Sequence, residues 1–322
     1  MKAVVLTAPC TADEMQVTEI PVPEVRPGWV LVKVDAFGIN HSEVLLRQFE
    51  VAQPYISKPI VPGIECVGTV ADASDSGMEP GQRVIALMGG MGRSFNGSYA
   101  EYALLPARNV FAVRSSMSTE ELAAVPETFY TAYGSLVQSL QLNSGDLLLV
   151  RGGTSTVGLA AIQLAKAIGA TVVATTRSEA RGAMLKDVGA DDVITEGEGF
   201  LRRFLDRYPA GAGKVLELIG AATLGESLRL TEMHGIVCQT GLLGGMFGLK
   251  NFDPIKDIPS GVYLTGFYSN RPSQAQIDGM MGLIEKGGIH PVIASRFTLD
   301  KIARAHRMAE AREQTGKIVV IT

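Results

Sequence analysis

The first third of the chain contains short apolar or alternating segments separated by turn residues. The segments that predict strands lie at 3–6, 30–36, 66–71, 83–87 and 99–104. Pro-Gly pairs at 27–28, 62–63 and 80–81 predict turns between them, because proline presets φ and glycine tolerates the conformation that follows. Helical spacing occurs there only over 40–48. This pattern predicts a β-rich N-terminal region with one small helix.

The pattern changes near residue 118, where strands and helices begin to alternate. A helical segment at 119–140 is interrupted at Pro126. The strands predicted after it lie at 147–150, 171–175, 192–194, 215–218, 235–240 and 262–266. The helices predicted between and after them lie at 156–168, 179–188, 200–207, 224–230 and 273–286. Alternation of this kind predicts parallel βαβ units, and the run LLLV at 147–150 is typical of a strand buried on both faces.

A last helix is predicted at 299–313 and a last strand at 317–321, and periodicity alone assigns neither to one domain. The fold class predicted is therefore α/β, with a doubly wound parallel sheet and a second, β-rich domain. A length of 322 residues agrees with two domains.

Composition and charge narrow the functional classes. Hydrophobic residues make up 46% and charged residues 19%, which is typical of globular proteins. A net charge of −4 with both signs interspersed argues against nucleic acid or a membrane as the partner. The start MKAVVLTAPC lacks the features of a signal peptide, and no apolar run has the length of a membrane span. Three widely spaced cysteines predict no disulfide framework, so we expect a cytoplasmic protein.

The clearest chemical signal is a glycine-rich turn between a predicted strand and a predicted helix. Against the dinucleotide pattern G-x-G-x-x-G, Gly153 and Gly158 fit the first and third positions, and Ser155 takes the second. In this context amide N–H groups and the positive end of a helix face a diphosphate. The residues predicted to bind the cofactor here are Gly153, Thr154, Ser155, Thr156, Val157 and Gly158. The alternative is a tight strand–helix turn without a ligand.

The end of the next strand bears on the choice of cofactor. An NAD site usually has an acidic residue there, which accepts from the ribose 2′-hydroxyl. This strand ends in Thr176, Arg177 and Ser178, with Arg181 shortly after. A guanidinium can pair with a 2′-phosphate through two hydrogen bonds, so Arg177 and Arg181 favour NADPH. Thr176 and Ser178 are predicted to bind the cofactor beside them. Alternatively, both arginines are solvated residues at the start of a helix.

Blocks over most of the chain resemble the medium-chain dehydrogenase/reductase superfamily, and within it the zinc-free quinone oxidoreductase (ζ-crystallin-like) branch. They lie at 26–34, 38–40, 61–70, 124–126, 130–133, 189–193 and 316–319. The sequence PGIECVGTV at 62–70, for example, is similar to the family's P-G-x-E-x-x-G-x-V block. The resemblance implies a GroES-like catalytic domain at 1–121, completed by 289–322, and a Rossmann domain at 122–288. It also implies a homodimer paired through the strand at 262–267.

The resemblance adds residues to the predicted site. It implies that the nicotinamide lies near Thr131 and near the loop at 241–244. The additional cofactor-binding residues are Thr131, Gly241, Leu242, Leu243, Phe267 and Lys317. Leu243 and Phe267 are equally well explained as plain core residues.

Two polar residues are candidates for catalysis. The amide of Asn40 can donate to the substrate oxygen or hold the nicotinamide ribose, and its alternative role is to stabilise a loop. Tyr55 is the second candidate, because family members often have a phenol facing substrate in this region, and its alternative is a partly exposed aromatic residue. Glu65 is interpreted as a structural carboxylate.

A metal is not expected. Zinc-dependent members of the superfamily have Cys where this chain has Asn40 and His where it has Ile64. Without a Lewis acid the favoured acceptor is a quinone or another conjugated carbonyl, which delocalises the charge that hydride transfer creates. The alternatives are an enoyl or 2-alkenal double-bond reductase, a non-catalytic NADPH-binding protein, and a zinc alcohol dehydrogenase.

Overall fold

Seven strands and one α-helix follow one another in the first 112 residues of the computed structural model, which describes residues 1–246 and 248–322. The strands are β1 (Lys2–Val4), β2 (Val17–Glu19), β3 (Trp29–Ile39), β4 (Glu65–Asp72), β5 (Arg83–Leu87), β6 (Tyr102–Pro106) and β7 (Val110–Ala112). Helix α1 spans His41–Gln48 and follows β3 directly. Strands β3, β4, β5 and β7 pair antiparallel in that order, and β6 also pairs with β3.

Strands and helices then alternate. The helices are α2 (Thr119–Ala123), α3 (Pro126–Tyr133), α4 (Thr156–Ile168), α5 (Gly182–Val188), α6 (Phe200–Arg207), α7 (Ala221–Arg229), α8 (Pro254–Asp257) and α9 (Gln274–Lys286). The strands are β8 (Leu147–Arg151), β9 (Thr171–Thr176), β10 (Asp192–Thr195), β11 (Ala212–Glu217), β12 (Thr231–Gln239) and β13 (Tyr263–Gly266). All neighbours in this sheet are parallel, in the order β10-β9-β8-β11-β12-β13. This is the Rossmann strand order, which confirms the predicted fold class.

The last part of the chain returns to the N-terminal sheet. It contains β14 (Ile293–Thr298), α10 (Ile302–Ala311) and β15 (Lys317–Ile321). Strand β15 pairs antiparallel with β3, with Ile318 opposite Ile39, and parallel with β14. The start of β15 therefore lies beside the end of β3, which leads into α1.

The chain divides into two compact units. The N-terminal unit contains Met1–Glu127, Asn270–Met281 and His290–Thr322, and the nucleotide unit contains Thr128–Ser269 and Gly282–Ile289. The predicted domain limits, 1–121 with 289–322 and 122–288, differ from these units at 122–127, 270–281 and 289, and as domain limits they stay a prediction. No helix in the described part of the chain is long and apolar enough to cross a membrane.

Each unit has its own apolar core. In the nucleotide unit the apolar runs predicted as central strands are buried, as at Leu149, Val173 and Val215. In the N-terminal unit Phe37 stacks on Tyr99, whose hydroxyl is 3.0 Å from Nε2 of the buried His306. The cysteines Cys10, Cys66 and Cys238 are free.

Some predicted elements change their limits. The helix predicted at 179–188 begins as a 3-10 turn over Glu179–Arg181 and becomes α-helical at Gly182. The segment predicted as helix at 119–140 breaks before Pro126 and ends as a π-helical turn over Gly134–Ser139. Strand β14 was not predicted because it is a partly exposed edge strand without clear alternation.

Candidate functional site

The glycine-rich turn between β8 and α4 is fixed to the end of β9. Gly152 has φ +85°, a conformation that glycine adopts without strain. Its N–H donates to Oγ1 of Thr175 at 3.1 Å, and the N–H of Gly153 donates to the carbonyl of Thr175 at 3.0 Å. The turn therefore lies directly against the carboxyl end of the neighbouring parallel strand, where ligands of such sheets bind.

Ser155 is the N-cap of α4. Its Oγ accepts from the N–H of Gly158 at 3.1 Å and donates to the carbonyl of Gly152 at 2.8 Å. The hydroxyl hydrogen of Ser155 is thus already donated inside the turn. The residue at the second position of the glycine pattern closes the turn, and it is not poised to donate this hydrogen to a ligand.

Gly158 allows the helix to approach the turn. A Cβ atom at this position would lie 2.5 Å from the carbonyl oxygen of Gly152 and 2.7 Å from that of Gly153. Both distances are far below ordinary contact, so any side chain here would displace the turn or the helix.

The start of α4 has donors that the described part of the chain does not use. The N–H groups of Thr156 and Val157, at the first two helical positions, have no acceptor within a helix. The hydroxyls of Thr154 and Thr156 are half-buried and hydrogen-bond to no described protein group. Amides and hydroxyls collected at the positive end of a helix suit a diphosphate.

Arg177 follows β9 at the same edge of the sheet. Its side chain is exposed and makes no hydrogen bond or ion pair within the described residues. Thr176 beside it is buried, and its Oγ1 accepts from the N–H of Ser178 at 3.1 Å. Arg181 lies half-buried in the 3-10 turn that follows. The first guanidinium after the strand is therefore available to an anion near the glycine turn.

The loop after β12 reaches the glycine turn. The N–H of Gly241 donates to the carbonyl of Glu217 at 3.1 Å, and that of Leu243 donates to the carbonyl of Leu218 at 3.1 Å. The Cδ1 atom of Leu243 lies 2.9 Å from the position that a Cβ of Gly152 would occupy. Leu242 and Leu243 are 52% and 43% exposed, so they form an apolar, accessible border beside the turn.

Two further predicted residues, Thr131 and Phe267, are linked to Ser135 and Gly134 of the π-helical turn. The carbonyl of Thr131 accepts from Oγ of Ser135 at 2.7 Å. The ring of Phe267 lies against Gly134, where a Cβ would be 1.9 Å from its Cζ atom. The ring also makes an edge contact with Tyr130, whose pKa burial raises to about 12.

In the N-terminal unit, Asn40 belongs to a buried polar cluster. Its Nδ2 donates to Oε1 of Glu65 at 2.8 Å, and its Oδ1 accepts from Nζ of Lys317 at 2.5 Å. The ammonium of Lys317 is 2.6 Å from Oε1 of Glu65, and both side chains are buried. We call Asn40, Glu65 and Lys317 the amide cluster. It brings together a predicted catalytic residue, a predicted cofactor-binding residue and the carboxylate interpreted as structural.

Glu43 supports this cluster and was missed by the sequence analysis. Its Oε2 accepts from the N–H of Asn40 at 2.9 Å, and its Oε1 accepts from the N–H of Ile64 at 3.0 Å. Burial raises the pKa of Glu43 to about 7, although Arg93 opposes that shift. The signal for it was a capping pattern, with an acid three residues after Asn40.

Tyr55 lies in a different environment. Its side chain is 62% exposed, and its hydroxyl donates to Oε1 of Glu50 at 3.1 Å. Glu50 also forms an ion pair with Arg93 at 2.8 Å. Within the described residues Tyr55 makes no hydrogen bond to the amide cluster, and its catalytic role stays a prediction.

A buried arginine at the end of β8 was also missed. Arg151 is fully buried and forms ion pairs with Glu196 and, at 2.8 Å, with Glu226. Its guanidinium lies over the ring of Phe200, 4.4 Å from the centroid. The only sequence signal was one basic residue that ends an apolar run, and this is usually an exposed strand end.

In the described part of the chain, no three or more His, Cys, Asp or Glu side chains form a group that could hold a metal ion. Ile64, at the position where zinc-dependent relatives have His, is buried. The prediction that the protein needs no metal awaits metal analysis.

Two family models match the chain in the regions of these features. Residues 26–115 match the alcohol dehydrogenase GroES-like domain, and residues 156–286 match the zinc-binding dehydrogenase model. Together with the Rossmann strand order and the glycine turn, they define an oxidoreductase with a nicotinamide dinucleotide-binding fold.

Curated relatives and solved structures place the chain more closely. Human quinone oxidoreductase is 28% identical over 316 residues, which cover 94% of this chain and 92% of that protein. Acryloyl-coenzyme A reductase of Sulfurisphaera tokodaii is 25% identical, with 99% of each chain covered. The chain belongs to the medium-chain dehydrogenase/reductase superfamily, in its quinone oxidoreductase branch, as predicted.

Two solved structures are similar over the whole chain. An NAD-dependent alcohol dehydrogenase is 30% identical, with a TM-score of 0.88 and 100% of both chains covered. The mycobacterial protein Rv1454c in complex with NADPH is 26% identical, with a TM-score of 0.84 and 100% of both chains covered. One of these similar structures is named as NAD-dependent, and the other is a complex with NADPH. The choice between the two cofactors therefore depends on this chain's own residues.

Proposed function

We propose that the protein is an NADPH-dependent oxidoreductase that transfers a hydride to a quinone or another conjugated carbonyl without a metal. The observation that carries this proposal is the glycine turn, where the unused amides of Thr156 and Val157 lie at the sheet edge that also presents Arg177. Diphosphate and 2′-phosphate are the two anionic parts of NADPH. The unused amides suit the diphosphate, and the guanidinium of Arg177 suits the 2′-phosphate.

The residues present fit this cofactor. The amides of Thr156 and Val157 and the hydroxyls of Thr154 and Thr156 would hold the diphosphate, since no described protein group uses them. Arg177 would hold the 2′-phosphate through charge-assisted hydrogen bonds. Thr176, Ser178 and Arg181 complete the predicted phosphate site, and Thr131, Gly241, Leu242, Leu243 and Phe267 would border the nicotinamide. When bound, the nicotinamide supplies the hydride.

The acceptor follows from what the N-terminal unit offers. Asn40 and Ile64 replace the thiolate and imidazole with which zinc-dependent relatives bind their metal, and an aliphatic side chain binds none. Hydride transfer then favours an acceptor that spreads the developing negative charge over a conjugated system. Asn40 would donate an N–H to the acceptor's oxygen, which stabilises that charge.

A 2-alkenal or enoyl thioester reductase is the second candidate. It needs the same cofactor site and the same oxygen contact, because the hydride adds to the far carbon of a conjugated double bond. The similarity to an acryloyl-coenzyme A reductase over 99% of both chains favours it specifically.

We further propose a cytoplasmic homodimer. Strand β13 is the last strand of the parallel sheet, and Tyr263 on it is 56% exposed. The free cysteines Cys10, Cys66 and Cys238 suit a reducing compartment. Sedimentation of the purified protein tests the dimer directly, and a monomer at micromolar concentration would contradict it.

The activity is tested by following NADPH oxidation with 1,4-benzoquinone, 2-alkenals and a crotonyl thioester, each repeated with NADH. We expect turnover with at least one conjugated acceptor and a higher kcat/KM with NADPH. Turnover limited to enals and thioesters would favour the second candidate. Tight NADPH binding without oxidation by any acceptor would show a non-catalytic binding protein.

A further inference from the structure

Described protein neighbours accept from the N–H donors of Asn40, except for one side-chain N–H. Its backbone N–H donates to Glu43 at 2.9 Å, its Oδ1 accepts from Lys317 at 2.5 Å, and one Nδ2–H donates to Glu65 at 2.8 Å. A primary amide has two N–H donors. The second N–H of the half-buried Asn40 has no partner within the described residues.

The chemistry of the two neighbours fixes the orientation of this amide. An ammonium only donates, so the side of Asn40 that faces Lys317 must be the carbonyl. A carboxylate only accepts, so the side that faces Glu65 must be the NH₂ group. A flipped amide would place its NH₂ group against the ammonium of Lys317 and its oxygen against the carboxylate of Glu65. These two neighbours therefore set the direction of the remaining N–H.

The two neighbours are themselves held in place. Lys317 is 2% exposed and Glu65 is 0% exposed, and Oε2 of Glu65 accepts from the N–H of Glu127 at 2.6 Å. A Cβ at Gly38 would lie 2.2 Å from Cε of Lys317, so the missing side chain leaves the space that the lysine occupies. In a buried setting, an ammonium on the amide oxygen also polarises the amide and strengthens its N–H as a donor.

We propose that Lys317 and Glu65 are positioning residues that orient and polarise the Asn40 amide, so that its remaining N–H binds the carbonyl oxygen of the hydride acceptor. The inference rests on the proposed function and deepens it. It assigns Lys317 a role through Asn40, in place of direct contact with the cofactor.

A double-mutant cycle tests this assignment with Asn40→Ala, Lys317→Met and the double variant. Loss of the donor itself lowers kcat by about 100-fold, as removal of one oxyanion donor does elsewhere. We expect Lys317→Met to lower kcat at least about 10-fold while the Kd for NADPH stays unchanged. In the Asn40→Ala background we expect Lys317→Met to lower kcat no further, because the residue through which the lysine acts has been removed.

Lys301→Met, at a lysine 63% exposed on its side chain, is the control and leaves kcat unchanged. If Lys317→Met does not fold, the cycle is run with Lys317→Met/Glu65→Gln, which removes both buried charges together. Equal losses of kcat in the two backgrounds would show a merely structural lysine, and a raised Kd for NADPH would show a cofactor contact. Either result overturns the proposal.

The wild-type assay separates this failure from failure of the proposed function. A wild-type protein that oxidises NADPH with a conjugated acceptor, but gives an additive cycle, loses only the positioning role. A wild-type protein inactive with all such acceptors removes the proposed function and the inference with it.

Discussion

Two buried groups of the N-terminal unit should change its stability with pH in opposite directions. His306 is 0% exposed, and its Nε2 lies 3.0 Å from the hydroxyl of Tyr99. Burial, with a smaller contribution from Arg47, lowers the pKa of His306 from 6.5 to about 3. Because this folded-state pKa is depressed, the contribution of His306 is fully present above 6.5 and is lost as the pH falls from 6.5 towards 3.

Glu43 has the opposite sign. It is 0% exposed, and burial raises its pKa from 4.5 to about 7. A carboxyl with a raised folded-state pKa contributes stability that is present below 4.5 and is lost as the pH rises through 7. From these pKa values, linkage gives a change in the free energy of unfolding between pH 8 and pH 5 on the order of 2 kcal/mol for each group, a decrease for His306 and an increase for Glu43.

The two contributions oppose each other in the wild type, so single variants are needed to separate them. His306→Gln keeps a polar group for Tyr99, and Glu43→Gln keeps the size of the side chain. Urea unfolding can be followed by fluorescence, because Trp29, the single tryptophan, lies on β3 in the same unit and packs on Phe95.

The expected result is a stability difference, wild type minus variant, that depends on pH. From pH 8 to pH 5 this difference falls by about 2 kcal/mol for His306→Gln and rises by a similar amount for Glu43→Gln. Differences that stay constant to within about 0.5 kcal/mol would refute the burial argument for that residue.

Three further predictions concern the nucleotide unit. Gly158→Ala places a Cβ 2.5 Å from a carbonyl oxygen of the turn and should raise the Kd for NADPH at least about 10-fold. Gly225→Ala, at an open helical position, is the control and should leave this Kd unchanged. Equal Kd values for the two variants would contradict the packing argument. Arg177→Ser should raise the Kd for NADPH by about 10- to 100-fold and leave the Kd for NADH unchanged. The control is Arg202→Ser, at an arginine whose side chain is 89% exposed. An equal effect on both cofactors would exclude contact between Arg177 and the 2′-phosphate. Ser155→Ala should lower the free energy of unfolding by about 1 kcal/mol through loss of the N-cap, which thermal unfolding measures, and an unchanged midpoint would argue against the cap.

The nucleotide unit was largely predictable because its central strands β8 and β9 are buried almost throughout. Continuous apolar runs and clear helical spacing gave the limits of α4 and α6 as the structure has them, and in the N-terminal unit those of β15. Strand β12 begins earlier than predicted, at Thr231, because its polar first half contains His234 at φ +68° and a register shift against β11. Such an irregular strand has no regular alternation to detect.

The location of the glycine turn could be predicted from the sequence, but the role of each residue within it could not. A pattern shows that Ser155 takes a glycine position, whereas only the geometry shows that its hydroxyl is spent on capping α4. The free donors are therefore those of Thr154, Thr156 and Val157.

The amide cluster lay beyond prediction from the residues alone. Asn40 and Lys317 are 277 positions apart, and they meet because β15 pairs with β3. No local periodicity encodes that pairing. Arg151 is a similar case, because the acids that neutralise it come from other elements of the unit.

The most direct test of the account is calorimetric titration of the purified protein with NADPH and with NADH. We expect both to bind in the glycine turn, and NADPH to bind at least about 10-fold more tightly, because only it can pair its 2′-phosphate with Arg177. Binding of neither would contradict the dinucleotide site itself. Tighter binding of NADH would contradict the role of Arg177.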